Sequence, residues 1–111
     1  MRPQVINIRQ APAGWKTNPQ YVYIGRRNVS YGVPQSVHHN PYPLAPGRER
    51  GATLEEYSLY LRAKLNQDPT YVQQVKNLWG KILVCWCKPH PCHGDVLAQV
   101  CEDLNTTKEN N

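Results

Sequence analysis

Three of the four cysteines and two of the four histidines fall within the nine residues Cys85-Trp86-Cys87-Lys88-Pro89-His90-Pro91-Cys92-His93, followed directly by Gly94-Asp95. Thiols, imidazoles and a carboxylate at this spacing fit four kinds of chemistry. The first is nucleophilic or acid–base catalysis. Cys92 would be the nucleophile, His93 (or His90 across the turn) would move the proton, and Asp95 would orient a histidine or cap a helix. The second is zinc, for which Cys85, Cys87, His90 and Cys92 are the ligand set, and a tetrahedral site would help a small domain. Paired Cys-x-x-Cys spacing is absent, and Cys92 and His93 diverge by about 100° if both are helical. The expectation is therefore no metal and no cofactor. The third is anion binding at a helix N-terminus, with Gly94 allowing close approach, Lys88 adding charge, and Cys92 and His93 lining the pocket without reacting. The fourth is plain burial, since free cysteine is among the most buried residue types.

The flanking elements decide where these side chains point. Ile82-Leu83-Val84 is a short apolar run leading into the cluster, and Lys81 to Cys85 reads as a central strand. Period two then puts Cys85 and Cys87 on the side of Leu83, and Trp86 on the other. From Pro91 or Cys92 to about Leu104 the residues Val96, Leu97, Val100, Cys101 and Leu104 recur at helical spacing, which makes Cys101 a core residue. The cluster thus occupies a strand end and a helix start, the usual place for ligands in open α/β sheets. Cys92 in the first helical turn is the candidate for a thiol of lowered pKa.

Upstream, Gln4 to Arg9 and Tyr21 to Ile24 read as strands, the second stopped by Gly25. The segment from Gly25 to Gly51 has no periodicity, four prolines and four arginines. A connection longer than about 12–15 residues is uncommon in a compact domain unless it is functional or disordered, and a functional loop is expected here. Its His38-His39 pair is read as solvated. Thr53-Leu54-Glu55-Glu56 matches a capping box, with Leu54, Tyr57, Leu61 and Leu65 following as one apolar stripe. Asp68-Pro69 opens a second helix whose apolar face is Tyr71, Val72, Val75, Leu78 and Trp79, stopped by Gly80. Residues 1–104 form a single domain and 105–111 a flexible tail. The order predicts a small α/β sandwich with a short, mainly parallel sheet of three to four strands and about three helices.

At 111 residues the chain holds one modest core. Nothing approaches the roughly 20 apolar residues of a membrane span. Met1-Arg2-Pro3-Gln4-Val5 has no apolar signal-peptide core, so a cytoplasmic protein with reduced thiols is expected. Thirteen Lys and Arg against eight Asp and Glu give a net charge of +5, which suits an anionic partner. No run of four basic residues marks a nucleic-acid arm.

Several stretches together resemble the uncharacterised family catalogued as domain of unknown function 4326. They are Val22-Tyr23-Ile24-Gly25-Arg26, Asn40-Pro41-Tyr42, Arg50 ahead of the Tyr57 helix, Gly80 to Cys87, Pro89, and Cys92-His93-Gly94-Asp95-Val96-Leu97. The chain departs from the family pattern in a Pro-rich insertion around His38-His39, and in Tyr42 where phenylalanine is common. The resemblance covers Val5 to Leu104 and implies fold and site location, with a bacterial or bacteriophage origin.

If the strands before Gly25 and Trp86 are neighbours and similarly directed, both following loops reach one edge of the sheet. Gly25, Arg26, Asn40, Arg50, Lys88, Cys92, His93 and Gly94 would then surround one pocket, with Tyr31, Tyr42 or Trp86 able to stack on a ring. The expected function is binding of a nucleotide-like or phosphorylated small molecule, as in a phage-type protein that sequesters a nucleotide signal. Two alternatives remain open. One is a hydrolase or transferase using Cys92, His93 and Asp95. The other is a zinc-stabilised nucleic-acid-binding module, with nucleic acid the secondary partner class. No membrane partner is expected.

Overall fold

The apolar run Ile82-Leu83-Val84-Cys85 becomes the middle of a sheet. The computed structural model describes residues 1–42 and 53–106. Arg50 and the rest of 43–52 lie outside the described residues, as do 107–111 of the expected tail. Strands β1 (Gln4–Asn7), β2 (Tyr21–Tyr23) and β3 (Ile82–Cys85) form a parallel sheet in the order β1-β3-β2. Leu83, Val84 and Cys85 are all buried, as befits a central parallel strand covered on both faces. Register puts Val5, Leu83 and Val22 in one row, and that row packs into the main core. Ile6, Val84 and Tyr23 form the next row. It faces the other way, where Trp15 lies with its ring centre 6.4 Å from that of Tyr23.

Helices α1 (Leu54–Gln67), α2 (Pro69–Lys76) and α3 (His93–Thr106) pack on one another, and α3 also touches β1 and β3. Tyr57, Leu61, Tyr71, Val75, Leu97, Val100 and Cys101 supply their buried side, joined by Leu78 from the turn after α2. The described residues form a small α/β domain with three parallel strands and three α-helices. Among the described residues, no helix is long and apolar enough to cross a membrane.

Element ends differ from the sequence expectations for local reasons. β1 stops at Asn7 because its side chain accepts from Arg9 N–H (2.9 Å), while Gln10 reaches back to Asn7 N–H (3.1 Å), closing a 3-10 turn. Asp68 caps α2 as expected, accepting from Thr70 and Tyr71 N–H at 3.0 and 3.2 Å. Thr53 does not cap α1 with its side chain; its hydroxyl accepts from Asn40 Nδ2 instead (3.1 Å). α2 ends at Lys76 rather than running to Gly80, which leaves Trp79 37% exposed instead of on the core face. α3 starts at His93, after Pro91 and Cys92. It continues through Asn105 and Thr106, where Asn105 Nδ2 donates to Cys101 O (2.8 Å).

Candidate functional site

Because all three strands run parallel, their C-terminal ends lie at one edge. β2 and β3 are neighbours there, as the sequence argument required. Ile24 N–H donates to Val84 O (3.0 Å), carrying the pairing one residue past β2. Asn7 Nδ2 donates to both Trp86 O (3.0 Å) and Lys88 O (2.9 Å), binding the end of β1 to the turn after β3. Beside this tied edge lies a pocket of about 280 Å³ lined by Gly25, Arg26, Asn40, Tyr42, Thr53, Trp86, Cys87 and His93. Gly25, Arg26, Asn40 and His93 were expected there, as were the aromatic candidates Tyr42 and Trp86.

The loop after β2 is ordered by short-range bonds. Asn28 and Val33 exchange backbone hydrogen bonds, and Ser36 N–H returns to Gly25 O (3.0 Å). This brings Asn40 opposite Arg26, whose Nε and Nη2 donate to Asn40 O at 3.1 and 2.7 Å. Two of the five guanidinium N–H groups are thereby used for positioning. Asn40 is in turn held by Thr53 through Nδ2, and by Tyr42 N–H on its Oδ1 (2.9 Å). The aromatic wall is equally braced. Trp86 Nε1 donates to the Tyr23 hydroxyl (2.7 Å), and that hydroxyl donates to Arg26 O. Tyr31 stands edge-on to Trp86 with ring centres 4.8 Å apart. Glycine is required at position 25 because a Cβ there would lie 2.5 Å from the Tyr23 hydroxyl oxygen and 2.7 Å from Cζ.

The structure places Cys92, Gly94, Asp95 and Lys88 differently from the sequence expectation. Cys92 is fully buried and serves as the N-cap of α3. Its sulfur accepts from Gly94 N–H (3.3 Å), and its own N–H donates to Asp95 Oδ2 (3.1 Å). The Asp95 bond is the N3 half of a capping box, while the thiol caps the N2 N–H of Gly94 instead of the N3 N–H. Asp95 also pairs with Lys88 (Nζ to Oδ1, 2.6 Å), so the helix start is already occupied by the chain's own carboxylate and the lysine is drawn to it. Gly94 serves packing: a Cβ would lie 2.8 Å from both Ile24 Cδ1 and Val5 Cγ1. None of these four lines the pocket.

His93 lines it, but with its nitrogens turned into the protein. Nε2 is 2.7 Å from Ile24 O, and a carbonyl can only accept, so Nε2 carries the hydrogen. Nδ1 lies 3.8 Å from Cys92 Sγ, and the ring stands edge-on to Tyr57. Burial lowers the His93 pKa, with Arg26 and His39 acting the same way against the carbonyls of Ile24 and His38.

Cys85 and Cys92 are buried members of one core cluster, and Cys87 packs against that cluster. The Cys92 thiol shares hydrogen bonds with Cys85 and Cys87, and that sharing, with burial, raises its pKa. The Cys85 pKa is lowered, first by the hydrogen bond from Cys92 and then by the backbone N–H groups of Lys88 and Cys87. The favoured thiolate is thus Cys85 and not Cys92, because the latter is the donor between them. His90, the fourth candidate zinc ligand, is exposed in the turn. Among the described residues, no group of three His, Cys, Asp or Glu is arranged to hold a metal ion.

Behind the pocket lies a polar chain that sequence reasoning missed. His38 is buried rather than solvated, with Nδ1 3.0 Å from the Tyr71 hydroxyl. Burial, then the charge of Lys64 and the neighbouring His93, lower its pKa to about 4. The ring is therefore neutral and Tyr71 O–H donates to Nδ1. Tyr57 shares a hydrogen bond with Tyr71 and also reaches His38 O (3.4 Å). Tyr57 and Tyr71 looked like simple apolar-stripe members, and only their hydroxyls hinted at a buried partner. Cys87 and Thr53 were likewise not expected in the pocket.

A family model described as Domain of unknown function (DUF4326) matches residues 6–103. No curated protein and no solved structure matches the chain.

Proposed function

The chain belongs to the DUF4326 family, and from that premise we propose that it is a binding protein for a small nucleotide-like or phosphorylated molecule held in the Arg26–Trp86 pocket. One observation carries the reading: a guanidinium pinned by the Asn40 carbonyl shares a pocket with the aromatic side chains of Trp86 and Tyr42. Arg26 retains three N–H groups for an anionic oxygen, and the aromatic rings suit a base. A volume of about 280 Å³ is near the lower end for small-molecule pockets. It favours a mononucleotide-sized ligand over a polynucleotide. The net charge of +5 adds attraction for an anion.

Capture is favoured over turnover because the proposed catalytic groups are otherwise engaged. Cys92 is fully buried, Asp95 bonds to Cys92 N–H and Lys88, and both ring nitrogens of His93 face protein atoms. A cytoplasmic role sequestering a nucleotide signal, in a bacterial cell or encoded by a phage, fits such a pocket.

The test is incubation with a mixture of mononucleotides and dinucleotides, followed by gel filtration, denaturation and chromatography of the released ligand. Intact recovery from the wild type, lost in Arg26→Ala, is expected. A converted product would favour the hydrolase or transferase alternative. Affinity for DNA or RNA that falls steeply with salt would favour the nucleic-acid alternative.

A further inference from the structure

The two faces of the sheet carry different surroundings. The Val5, Leu83 and Val22 row belongs to the core shared with the helices, whereas the row ending in Tyr23 meets the 3-10 turn Trp15–Thr17. From Tyr23 a chain of rings crosses that second side. Trp15 stands 6.4 Å away between ring centres, Trp86 Nε1 donates to the Tyr23 hydroxyl (2.7 Å), and Tyr31 meets Trp86 edge-on at 4.8 Å. None of the four is buried, and Tyr31 is 37% exposed.

Charge is divided in the same way. Residues 1–42 hold Arg2, Arg9, Lys16, Arg26 and Arg27 and no acidic residue; the first acid in the chain is Glu49. In 53–106 the acids are Glu55, Glu56, Asp68, Asp95, Glu102 and Asp103, all on helices or capping one, where they offset the lysines and arginines of that stretch. Among the described residues, the positive excess therefore lies in the part that bears the rings. Two of its cations border them. Lys16 is exposed and donates through Nζ to Tyr31 O, and the Tyr23 hydroxyl bonds to Arg26 O, directly before the exposed Arg27.

We propose that this ridge binds single-stranded nucleic acid, with bases stacked on the aromatic side chains and phosphates drawn to Lys16 and Arg27. Aromatic platforms accept any base, and a basic border follows the backbone. The site goes beyond the Arg26 pocket and does not rest on it, since Trp86 is the only one of the four rings that also lines that pocket. Two phosphate contacts give a shallow salt response, with log affinity falling against log salt at a slope of about −1.4.

A labelled thymidine oligonucleotide of about 12 residues is titrated with the full chain in about 50 mM salt and followed by anisotropy. The same oligonucleotide paired with its complement and vesicles containing phosphatidylserine are titrated beside it. Preference for the single strand over the duplex is expected. Trp15→Ala and Tyr31→Ala should each weaken binding at least about fivefold. Trp15→Phe and Tyr31→Phe, which keep a ring, should retain most of it, with every fold checked by circular dichroism. Trp15→Ala should still capture any mononucleotide that the wild type captures, so failure of the ridge and failure of the pocket read out separately. Equal affinity for the duplex, or alanine variants that bind like the wild type, overturns the proposal. So does the lack of strand binding at about 100 µM protein, and vesicle binding in its place would mark a membrane surface.

Discussion

His93 Nε2 donates to the carbonyl oxygen of Ile24 across 2.7 Å, so the first residue of α3 is bonded directly to the chain leaving β2. The same imidazole lines the pocket and stands against Tyr57, which makes it a keystone rather than a proton carrier. His93→Ala would strand a buried carbonyl and open a cavity, at a cost of about 2–4 kcal/mol. Urea denaturation should show that loss. A variant as stable as wild type would mean the bond contributes nothing.

Gly94→Ala tests the packing role. Alanine favours a helix over glycine by up to about 1 kcal/mol, but here the added methyl meets Val5 and Ile24 at 2.8 Å. The overpacking should win, with a net loss of about 1–3 kcal/mol read as a lower Tm. A raised Tm would show that β1 and β2 yield easily.

Acid should destabilise the protein through its buried imidazoles. The His38 pKa is lowered from 6.5 to about 4, and that of His93 is lowered too. Between those values the unfolded chain binds a proton that folded His38 does not. The stability held above pH 6.5 is therefore lost as pH falls towards 4. For His38 this amounts to about 3 kcal/mol at most. Urea midpoints at pH 7.5, 6 and 5 should fall in that order, and a His38→Gln variant should show a shallower decline.

Arg26→Lys separates fork geometry from charge. Lysine keeps the positive charge but cannot grip Asn40 O with two N–H groups and still present a planar face to a ligand. Affinity for any mononucleotide that the wild type binds should fall at least about tenfold. Because Arg26 is exposed, stability should change by under about 0.5 kcal/mol. Unchanged affinity, measured by calorimetry, would leave the guanidinium without a recognition role.

Much of the sheet was legible because each strand is a compact β-branched or aromatic run closed by a recognisable stop. Parallel pairing of β2 with β3 was a condition of the sequence reading rather than a deduction from it, and the structure meets that condition. The site was legible in location and less so in detail. Period two placed Cys85 and Cys87 towards the core, but it could not separate the buried thiol of Cys92 from the pocket-facing thiol of Cys87. Gly94 and Lys88 suggested an anion cradle from their types alone. What decides their roles is the distance from Gly94 to Val5, some ninety residues away, and the competing carboxylate of Asp95. Long-range contacts of that kind leave no local pattern. His38 was misread for the same reason, since its partner Tyr71 belongs to another helix.

The strand order has a consequence for how the chain is made. Among the described residues, β1 and β2 are each paired only with β3, so the first two of these strands synthesised have no partner in this sheet until the third arrives. Closing those two long loops defers the entropic reward to a late step. Until residue 85 emerges, the pocket loop and the first two helices are an unfinished surface. Nascent chains arrested before Ile82 should be fully protease-sensitive, and those extended past Thr106 resistant. Ligand capture would then be a property acquired all at once, at the end of synthesis.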